Sequence, residues 1–295
     1  MKFGVFSVSM PEYTVEEAPR IAKELGYDFI EWRVGSMPKE EPKDYPYERR
    51  YWAWNKSTLD ENNIMADCLR AKKACDEAGI EIVGISPSLP LEADEKFEAV
   101  CRAAQAIGCH QVRYGLIGFD PIKSGLTYPE QFKRMRQKLE ALEPMLKETD
   151  VKLVIEMHHG TLTASASSAY RMLEGLDPKR FGLIYDAGNM VFEGYEDYLK
   201  SLQLLGDYIA HYHLKNGILE YDGVDELGAA KWKQTSVPLK KGQANLKKLF
   251  EAMKQVGYDG TVSIEDFSNE SPTYEKLVDN LKYMHELYDA TYGKE

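Results

Sequence analysis

Residues 151–189 read VKLVIEMHHGTLTASASSAYRMLEGLDPKRFGLIYDAGN, and this stretch decides the fold. Both of its ends are short runs rich in Val, Leu, Ile or Tyr, which is typical of strands. The segment between them, SASSAYRMLEGL, is typical of a helix. A strand, a crossover helix and a second strand predict a parallel pair, and each strand ends in a carboxylate, Glu156 or Asp186.

The same strand–helix unit recurs along the whole chain. Strands are predicted at 3–8, 27–34, 80–86, 110–115, 151–156, 181–186, 208–214 and 261–266. Helices are predicted at 14–25, from a cap at Ser57 or Thr58 to Gly79, and at 92–107, 128–148, 165–176, 196–206, 243–256 and 273–290. Eight such units without a linker predict an α/β fold, a (β/α)8 TIM barrel, as a single domain over residues 1–295.

The composition excludes several classes of protein. With 295 residues the chain suits a single barrel, and 43% hydrophobic and 29% charged residues indicate a soluble globular protein. The net charge of −11 argues against a large nucleic-acid or anionic-membrane surface. No apolar run approaches the length of a membrane span.

The cysteines and the first residues favour a cytoplasmic location. Cys68, Cys75, Cys101 and Cys109 show no CxxC pairing, and the first three lie in helical patterns where buried free thiols are expected. The opening MKFGVFSVSM favours a first barrel strand over a signal peptide, because acidic, helix-starting residues follow it. We therefore expect a protein of the reducing cytoplasm.

Four consecutive predicted strands end in residue types that bind divalent metal ions. They are Glu156, Asp186, His213 and Glu265. The strands of a parallel barrel bring their carboxyl ends together, so these four side chains are expected to converge. Oxygen donors with one imidazole suit one divalent ion, with Mn²⁺ expected first and Mg²⁺, Co²⁺ or Zn²⁺ as alternatives.

Each of these residues also has a structural alternative. Asp186 could start a turn before Gly188, and Glu265 could cap a helix or face solvent. His213 alternates with His211, so one of the two is expected to point away from the site. Glu156 ends a very apolar strand, where a lone carboxylate would be costly, and this favours a functional role.

The ligand pattern resembles the xylose isomerase-like, or sugar phosphate isomerase/epimerase, TIM-barrel superfamily. The resemblance covers essentially the whole chain and is most specific at IEMHHG, DAGN, HYHLK and the final strand glutamate. Members include ketose 3-epimerases, hydroxypyruvate isomerase, inosose dehydratase and the alpha subunits of C-glycoside deglycosidases. The resemblance implies that Glu156 and Glu265 are an acid/base pair that also binds metal, and that Asp186 and His213 are mainly ligands.

The chain departs from the pattern of many epimerases at two positions. Asn189 stands where many carry histidine, and Asn216 stands where many carry an acid. An asparagine binds a sugar hydroxyl but moves no proton, so Asn189 is predicted to bind substrate. Two added imidazoles follow the strand that ends at Glu156. His158 is assigned to substrate binding, and His159 is either a catalytic proton shuttle or a group that orients a metal ligand.

Aromatic and basic residues complete the predicted substrate site. The loop after the second strand carries Trp54 among five aromatic residues, which would pack on a sugar ring, or else on the barrel or a partner subunit. Trp32 and Arg33 close the second strand, one of them facing the site, and Trp32 is assigned to substrate binding. Lys215 is assigned there too. The segment 215–241 is interpreted as a solvated loop rather than an anion site.

These observations lead to two enzyme hypotheses and one binding hypothesis. The first is a metal-dependent isomerase or epimerase that acts on a keto sugar through a metal-stabilised enediolate. The second is a metal-dependent lyase or dehydratase that eliminates water or an aglycone from a 3-keto sugar or glycoside. The third, ranked last, is a metal-free binding module. The expected partners are a small-molecule sugar and further copies of the chain, or a small partner subunit for a deglycosidase, with no nucleic acid or membrane.

Overall fold

Parallel strands close into a barrel in the computed structural model of the chain, which describes residues 1–38 and 40–293. The strands are β1 (Lys2–Phe6), β2 (Phe29–Gly35), β3 (Leu59–Asp60), β4 (Glu81–Pro87), β5 (Gln111–Arg113), β6 (Lys152–Glu156), β7 (Phe181–Asp186), β8 (Ile209–Leu214), β9 (Asn216–Val224), β10 (Ala230–Val237) and β11 (Thr261–Ile264). Eight of them pair in the order β1, β11, β8, β7, β6, β5, β4 and β2, and pairing of β1 with β2 closes the ring. The predicted (β/α)8 TIM barrel is thereby confirmed.

Helices cover the outside of the barrel. They are α1 (Glu17–Leu25), α2 (Arg50–Ala53), α3 (Ile64–Ala78), α4 (Asp94–Ala106), α5 (Pro121–Ser124), α6 (Tyr128–Thr149), α7 (Ala166–Leu173), α8 (Ala187–Phe192), α9 (Tyr198–Leu205), α10 (Leu246–Gln255) and α11 (Thr273–Tyr292). At the start of α6, Thr127 and Glu130 form a capping box. Glycines end α1 and α3, because Gly26 and Gly79 adopt left-handed φ angles of 99° and 68°, and the end of α3 at Gly79 is as predicted.

The start of α3 differs from the prediction. The helix begins at Ile64 rather than after a cap at Ser57 or Thr58. Both of these hydroxyl residues are buried and already bonded, since Ser57 Oγ donates to Ser7 O at 2.7 Å and Thr58 accepts from Arg33. These two hydrogen bonds join the segment to Ser7 and Arg33 beside the barrel strands, and the short strand β3 follows next to β2.

The segment 215–241 also differs, since it holds a hairpin and not a solvated loop. Strands β9 and β10 pair in antiparallel fashion, with Trp232 opposite Tyr221 and Lys233 opposite Glu220. The aromatic pair stacks edge to face, with ring centroids 5.9 Å apart. Both aromatic side chains remain exposed.

The apolar core lies between the barrel wall and the helices. Its largest fully buried side chains include Trp32, Tyr27, Tyr185 and Tyr212. The buried free thiols predicted at Cys68, Cys75 and Cys101 are confirmed. Within the described residues, no helix is both long and apolar enough to cross a membrane.

Candidate metal centre and substrate cavity

A cavity opens at the carboxyl ends of the barrel strands. Its floor is charged and its walls are apolar. The polar residues that line it are Arg33, Ser88, Arg113, Glu156, His158, Lys215 and Glu265. The apolar ones are Phe6, Val8, Trp52, Leu116 and Phe267. Strand ends therefore supply the charge, and the loops after them supply the walls, as in other enzymes built on this barrel.

The four residues predicted as metal ligands lie together at this floor. Glu156, Asp186, His213 and Glu265, called the ligand cluster from here on, each offer one donor atom, and these atoms all lie within 4.8 Å of one another. His213 Nδ1 is 3.5 Å from Glu156 Oε1 and 3.9 Å from Glu265 Oε2. All four side chains are buried.

The donor atoms of the ligand cluster fit a divalent cation. Among the described residues, His213 Nδ1 is buried and receives no hydrogen bond of acceptable geometry, and Asp186 Oδ2 has only the ammonium group of Lys215 beside it, at 2.8 Å. A buried ring nitrogen without a hydrogen bond is costly, so its position among three carboxylates is consistent with a bound cation. Carboxylate oxygens and a neutral imidazole nitrogen are donors that Mn²⁺, Mg²⁺, Co²⁺ and Zn²⁺ accept.

Glu31 fixes the orientation of His213, and no sequence pattern had identified it. His213 Nε2 donates to Glu31 Oε2 at 2.8 Å, which leaves Nδ1 of the same ring as a lone-pair donor. Ser86 Oγ donates to the other oxygen of Glu31. Burial opposes ionisation of Glu31, but the two nearby histidines hold the pKa of this carboxyl well below its usual range. A glutamate in the centre of FIEWRV was the available signal.

His211 lies one layer deeper and faces the barrel interior as well. Residues two apart on a strand share a face, so the expectation that one of His211 and His213 points outward was wrong. His211 hydrogen-bonds through Nδ1 to Thr261 Oγ1 at 2.7 Å and through Nε2 to Ser263 Oγ at 2.8 Å. Both of its ring nitrogens are therefore engaged, and it supports the layer beneath the ligand cluster.

Two buried cations contact the ligand cluster. Lys215 Nζ lies 2.8 Å from Asp186 Oδ2 and also contacts Glu265 Oε2, and Arg113 Nη1 contacts Glu156 Oε2. Burial alone would lower the pKa of Lys215, but the surrounding carboxylates raise it. Lys215 thus faces the carboxylates as well as the cavity, where it was predicted to bind substrate.

The charges at the floor leave room for one divalent cation. With Glu31, the carboxylates of the ligand cluster carry four negative charges, which Arg113 and Lys215 offset only in part. Two negative charges remain when His213 is neutral, and a divalent ion would balance both. Without an ion, burial would lower the pKa of His213, but Glu31, Glu156 and Glu265 raise it well above its usual value.

The two glutamates of the ligand cluster have opposite pKa shifts. Burial opposes ionisation of Glu156, but Arg113, with His213 and Lys215, holds the pKa of this carboxyl well below its usual range. Burial raises the pKa of Glu265 to about 7, with repulsion from Glu156 adding to it and attraction to Lys215 opposing it. A pair of carboxyls whose environments separate their pKa values is typical of acid/base sites.

His158 and His159 follow β6, and only His158 belongs to the cavity lining. His158 lines the cavity, and burial lowers its pKa to about 4. Its Nδ1 donates to His159 O at 2.7 Å, so the lone pair lies on Nε2. The cavity lining does not include His159, whose Nδ1 is 3.0 Å from Asn189 Oδ1.

Asn189 links His159 to the ligand cluster rather than facing the cavity. Its Nδ2 donates to Glu156 Oε1 at 3.3 Å and to Met157 O at 3.1 Å, while its backbone N–H donates to Asp186 Oδ1 at 2.9 Å. It is fully buried. In this position Asn189 orients two ligands of the cluster, and His159 orients Asn189.

Trp32 and Trp54 are not brought to the cavity. Alternation along β2 turns Trp32 into the core between sheet and helices, where it is fully buried, and turns Arg33 inward to the cavity. In the loop after β2, Trp52 lines the cavity in place of Trp54 and packs on Phe267, with ring centroids 4.8 Å apart. Adjacent residues of a strand face opposite sides, so the sequence alone does not show which of them faces the cavity unless the strand register is known.

The aromatic loop is fastened to the barrel by its buried members. Tyr51 is fully buried, and its hydroxyl donates to Ser268 O at 2.9 Å and accepts from Lys276 Nζ at 2.7 Å. Arg50 stacks on the Tyr51 ring, with its guanidinium carbon 4.2 Å from the ring centre. Packing on the barrel and lining of the cavity, which were alternatives for this loop, therefore occur together on neighbouring residues.

Comparison with known proteins identifies the family. Residues 19–287 match the model of the xylose isomerase-like TIM barrel family, and the chain therefore belongs to this family. The chain is also similar to inosose dehydratase of Geobacillus thermodenitrificans (strain NG80-2), with 31% identity over 142 residues that span 46% of this chain and 47% of that protein. The alignment thus spans about half the length of that relative.

Solved structures share the whole fold at low sequence identity. The 3-keto-D-glucoside 4-epimerase YcjR from E. coli has a TM-score of 0.70 and 17% identity, covering 97% of this chain and 99% of that one. A protein named IOLI, with a bound zinc atom, has a TM-score of 0.71 and 17% identity over 100% of both chains. At this identity the similarity establishes the fold alone.

Proposed function

We propose that this member of the xylose isomerase-like TIM barrel family is a divalent-metal-dependent sugar isomerase or epimerase that acts on a keto sugar. The observation that carries the proposal is the arrangement of Glu156 and Glu265. They belong to one ligand cluster at the cavity floor, and their pKa values differ. Glu156 ends β6, and Glu265 follows β11 directly. Two such carboxyls can remove a proton from a carbon and return one from another direction.

The chemistry uses these two residues as base and acid. One glutamate takes the proton from the carbon beside the ketone, and the electron pair of the broken C–H bond moves into an enediolate. The other glutamate returns a proton to the opposite face of that carbon, which inverts it and restores the ketone. Alternatively, a proton is delivered to the former carbonyl carbon while the hydroxyl proton of the first carbon moves to the former ketone oxygen, and the carbonyl thereby moves to the first carbon. Before an ion binds, burial and repulsion from Glu156 raise the pKa of Glu265 to about 7, and a divalent ion bound beside it would lower that value.

The ligand cluster would hold the ion, with Glu31 orienting His213 from behind. A divalent ion bound there supplies Lewis-acid stabilisation of the negative charge that develops on the ketone oxygen. Arg113 keeps Glu156 ionised through direct contact. Asn189 and His159 hold Glu156 and Asp186 in place, which makes His159 a positioning residue in this proposal.

The test is exchange of substrate carbon-bound hydrogen with deuterated water. Protein loaded with Mn²⁺, and separately with Mg²⁺, Co²⁺ or Zn²⁺, is incubated with ketohexoses, ketopentoses, inosose and 3-keto-glucosides, and proton NMR follows the signal beside the ketone. We expect loss of that signal with at least one compound, and no loss with Glu265→Gln. Equal exchange by wild type and Glu265→Gln would contradict the acid/base assignment.

A lyase or dehydratase is the second candidate. The observations that favour it are the similarity to an inosose dehydratase and the neutral His158 in the cavity lining. After a glutamate removes the proton beside the ketone, the bond between the next carbon and its leaving oxygen breaks, and the same glutamate, now protonated, can give the proton to that oxygen, so that water or an alcohol departs. Product analysis with a 3-keto-glucoside separates the two reactions, because release of the aglycone would contradict a pure epimerase.

A further inference from the structure

Arg33 differs from the other cations that line the cavity. Lys215 has three carboxylates within 4.0 Å and Arg113 has one, whereas Arg33 has none among the described residues. Its side chain makes one hydrogen bond in that part of the chain, from Nη1 to Thr58 Oγ1. Four of the five guanidinium N–H groups are therefore left without a protein acceptor.

The side chain is nevertheless buried and faces the cavity. Arg33 is 7% exposed and belongs to the cavity lining beside Arg113. Its guanidinium lies against the bare backbone of Gly35, where an added Cβ would be 3.4 Å from Nη2. The guanidinium therefore packs beside the backbone of Gly35 and lines the cavity.

An unpaired buried charge lowers stability unless a ligand pairs with it. Taking a guanidinium out of water costs free energy, and Arg113 adds repulsion from the same lining. The two effects lower the pKa of Arg33 to about 10, so the group is still charged at neutral pH. Among residues 1–38 and 40–293, no carboxylate pairs with this charge, in contrast to Arg113 and Lys215 in the same lining.

We propose that Arg33 binds an anionic group of the substrate, a carboxylate or a phosphate, at the edge of the cavity opposite the ligand cluster. The planar fork of arginine matches both groups through two parallel hydrogen bonds. This inference rests on the proposed function and narrows its substrate class to keto sugar acids or keto sugar phosphates. The ketone would face the ligand cluster while the anionic end faces Arg33.

The test measures binding of small anions to the full-length protein as purified, with no turnover involved. Glycolate serves as the carboxylate probe and inorganic phosphate as the phosphate probe, at an ionic strength held constant with sodium chloride. Fluorescence of Trp52, which lines the same cavity, reports binding. Arg33→Met keeps the apolar stem and removes the charge. Arg134→Met, in a separate groove beside α6, is the matched control.

We expect at least one probe to bind wild type and Arg134→Met with similar affinity. The dissociation constant of that probe for Arg33→Met should be at least about tenfold higher. Stronger binding of glycolate assigns a sugar acid, and stronger binding of phosphate assigns a sugar phosphate. Binding of neither probe, or equal binding by Arg33→Met, overturns the proposal. A protein that binds the probe through Arg33 but exchanges no substrate proton would contradict the proposed function alone.

The melting temperature of ligand-free Arg33→Met gives an independent readout. A residue held for a ligand costs stability, so the variant should melt at the same temperature as wild type or higher. A fall of several degrees would show that Arg33 holds the loop of Thr58 and Gly35 in place, and this result would overturn the proposal as well.

Discussion

The two halves of the cavity carry opposite charges and come from opposite halves of the chain. The half built by β6, β7, β8 and β11 presents the ligand cluster, whose carboxylates exceed the cations around them. The half built by β2 and β5 presents Arg33 and Arg113 to the cavity, of which only Arg113 has a carboxylate partner among the described residues, while Glu31 on β2 contacts His213 instead. The first half therefore has negative charge that no cation of the half balances, and the second half has a guanidinium that pairs with no anion among the described residues.

The difference indicates what each half binds. Burial makes an uncompensated charge expensive in either half, and the ion pairs among the described residues compensate the charges only in part. A divalent ion would complete the acidic half, and an anionic substrate group would complete the basic half. A keto sugar with an acidic end would bridge the two, with its reacting carbon between Glu156 and Glu265.

The largest expected effect comes from the acidic half. Glu156→Gln and Glu265→Gln should each lower turnover by about a thousandfold or more, because each removes a proton carrier and a ligand. Circular dichroism and the melting temperature should show a folded protein. Glu92→Gln, at a glutamate that lines the separate groove beside α6, is the matched control and should keep full turnover.

Residual activity in these variants would contradict the acid/base role of the two glutamates. Turnover above about a tenth of wild type in Glu156→Gln would assign the acid/base work to another group. His158, which lines the same cavity, would then be the next residue to substitute.

Two substitutions on β2 test whether metal binding depends on the acidic half of the cavity alone. Glu31→Gln should weaken metal binding by about ten- to a hundredfold, because it removes the charged acceptor of His213 Nε2–H without removing a ligand. Arg33→Met, two residues later, should change the metal dissociation constant by less than about threefold, since Arg33 makes no contact with the ligand cluster. Isothermal titration with Mn²⁺ measures both. Equal weakening by the two variants would mean that the halves are not independent.

The pH dependence of metal binding should follow the raised pKa values of the acidic half. His213, with its pKa raised well above its usual value, and Glu265, with a pKa of about 7, must lose protons before they bind a cation. Affinity should therefore rise with pH, by about tenfold for each pH unit between 6 and 7 per proton released. Titrations in buffers of different ionisation enthalpy count the protons. Constant affinity across this range would contradict the assigned ligands.

The smallest effect is expected at the apolar wall. Trp52→Ala should raise KM by about three- to tenfold with little change in kcat, because Trp52 lines the cavity and packs on Phe267. Trp54→Ala, two residues away and outside the lining, should leave KM close to wild type. Steady-state kinetics on the substrate identified by deuterium exchange measures both. The reverse order would assign the sugar contact to Trp54, as the sequence predicted.

The barrel and the placement of the ligand cluster were predictable from sequence for a physical reason. Parallel strands in a closed sheet end at one rim, so Glu156 and Asp186, at the ends of consecutive strands, had to lie near each other. The alternation of strand and helix also fixed the order of pairing, because connections of this kind are right-handed and join neighbours.

The supporting residues were harder to predict, since they depend on register and on contacts across the barrel. Glu31 meets His213 across 182 residues of chain, and no local pattern reports such a contact. Whether Trp32 or Arg33 faces the cavity depends on a strand register that one residue reverses. The hairpin of β9 and β10 was missed, although the alternation in KWKQTSV before Leu239 and the turn at Gly228 indicated strands.

The most direct test of the account is the metal content of the purified protein, measured by elemental mass spectrometry for wild type beside the double variant Glu156→Gln/Asp186→Asn. We expect about one equivalent of a divalent metal per chain in wild type and no bound metal in the double variant. The absence of metal from both proteins, even after reconstitution with Mn²⁺, Mg²⁺, Co²⁺ and Zn²⁺, would contradict the ligand cluster and leave a metal-free binding module as the better description.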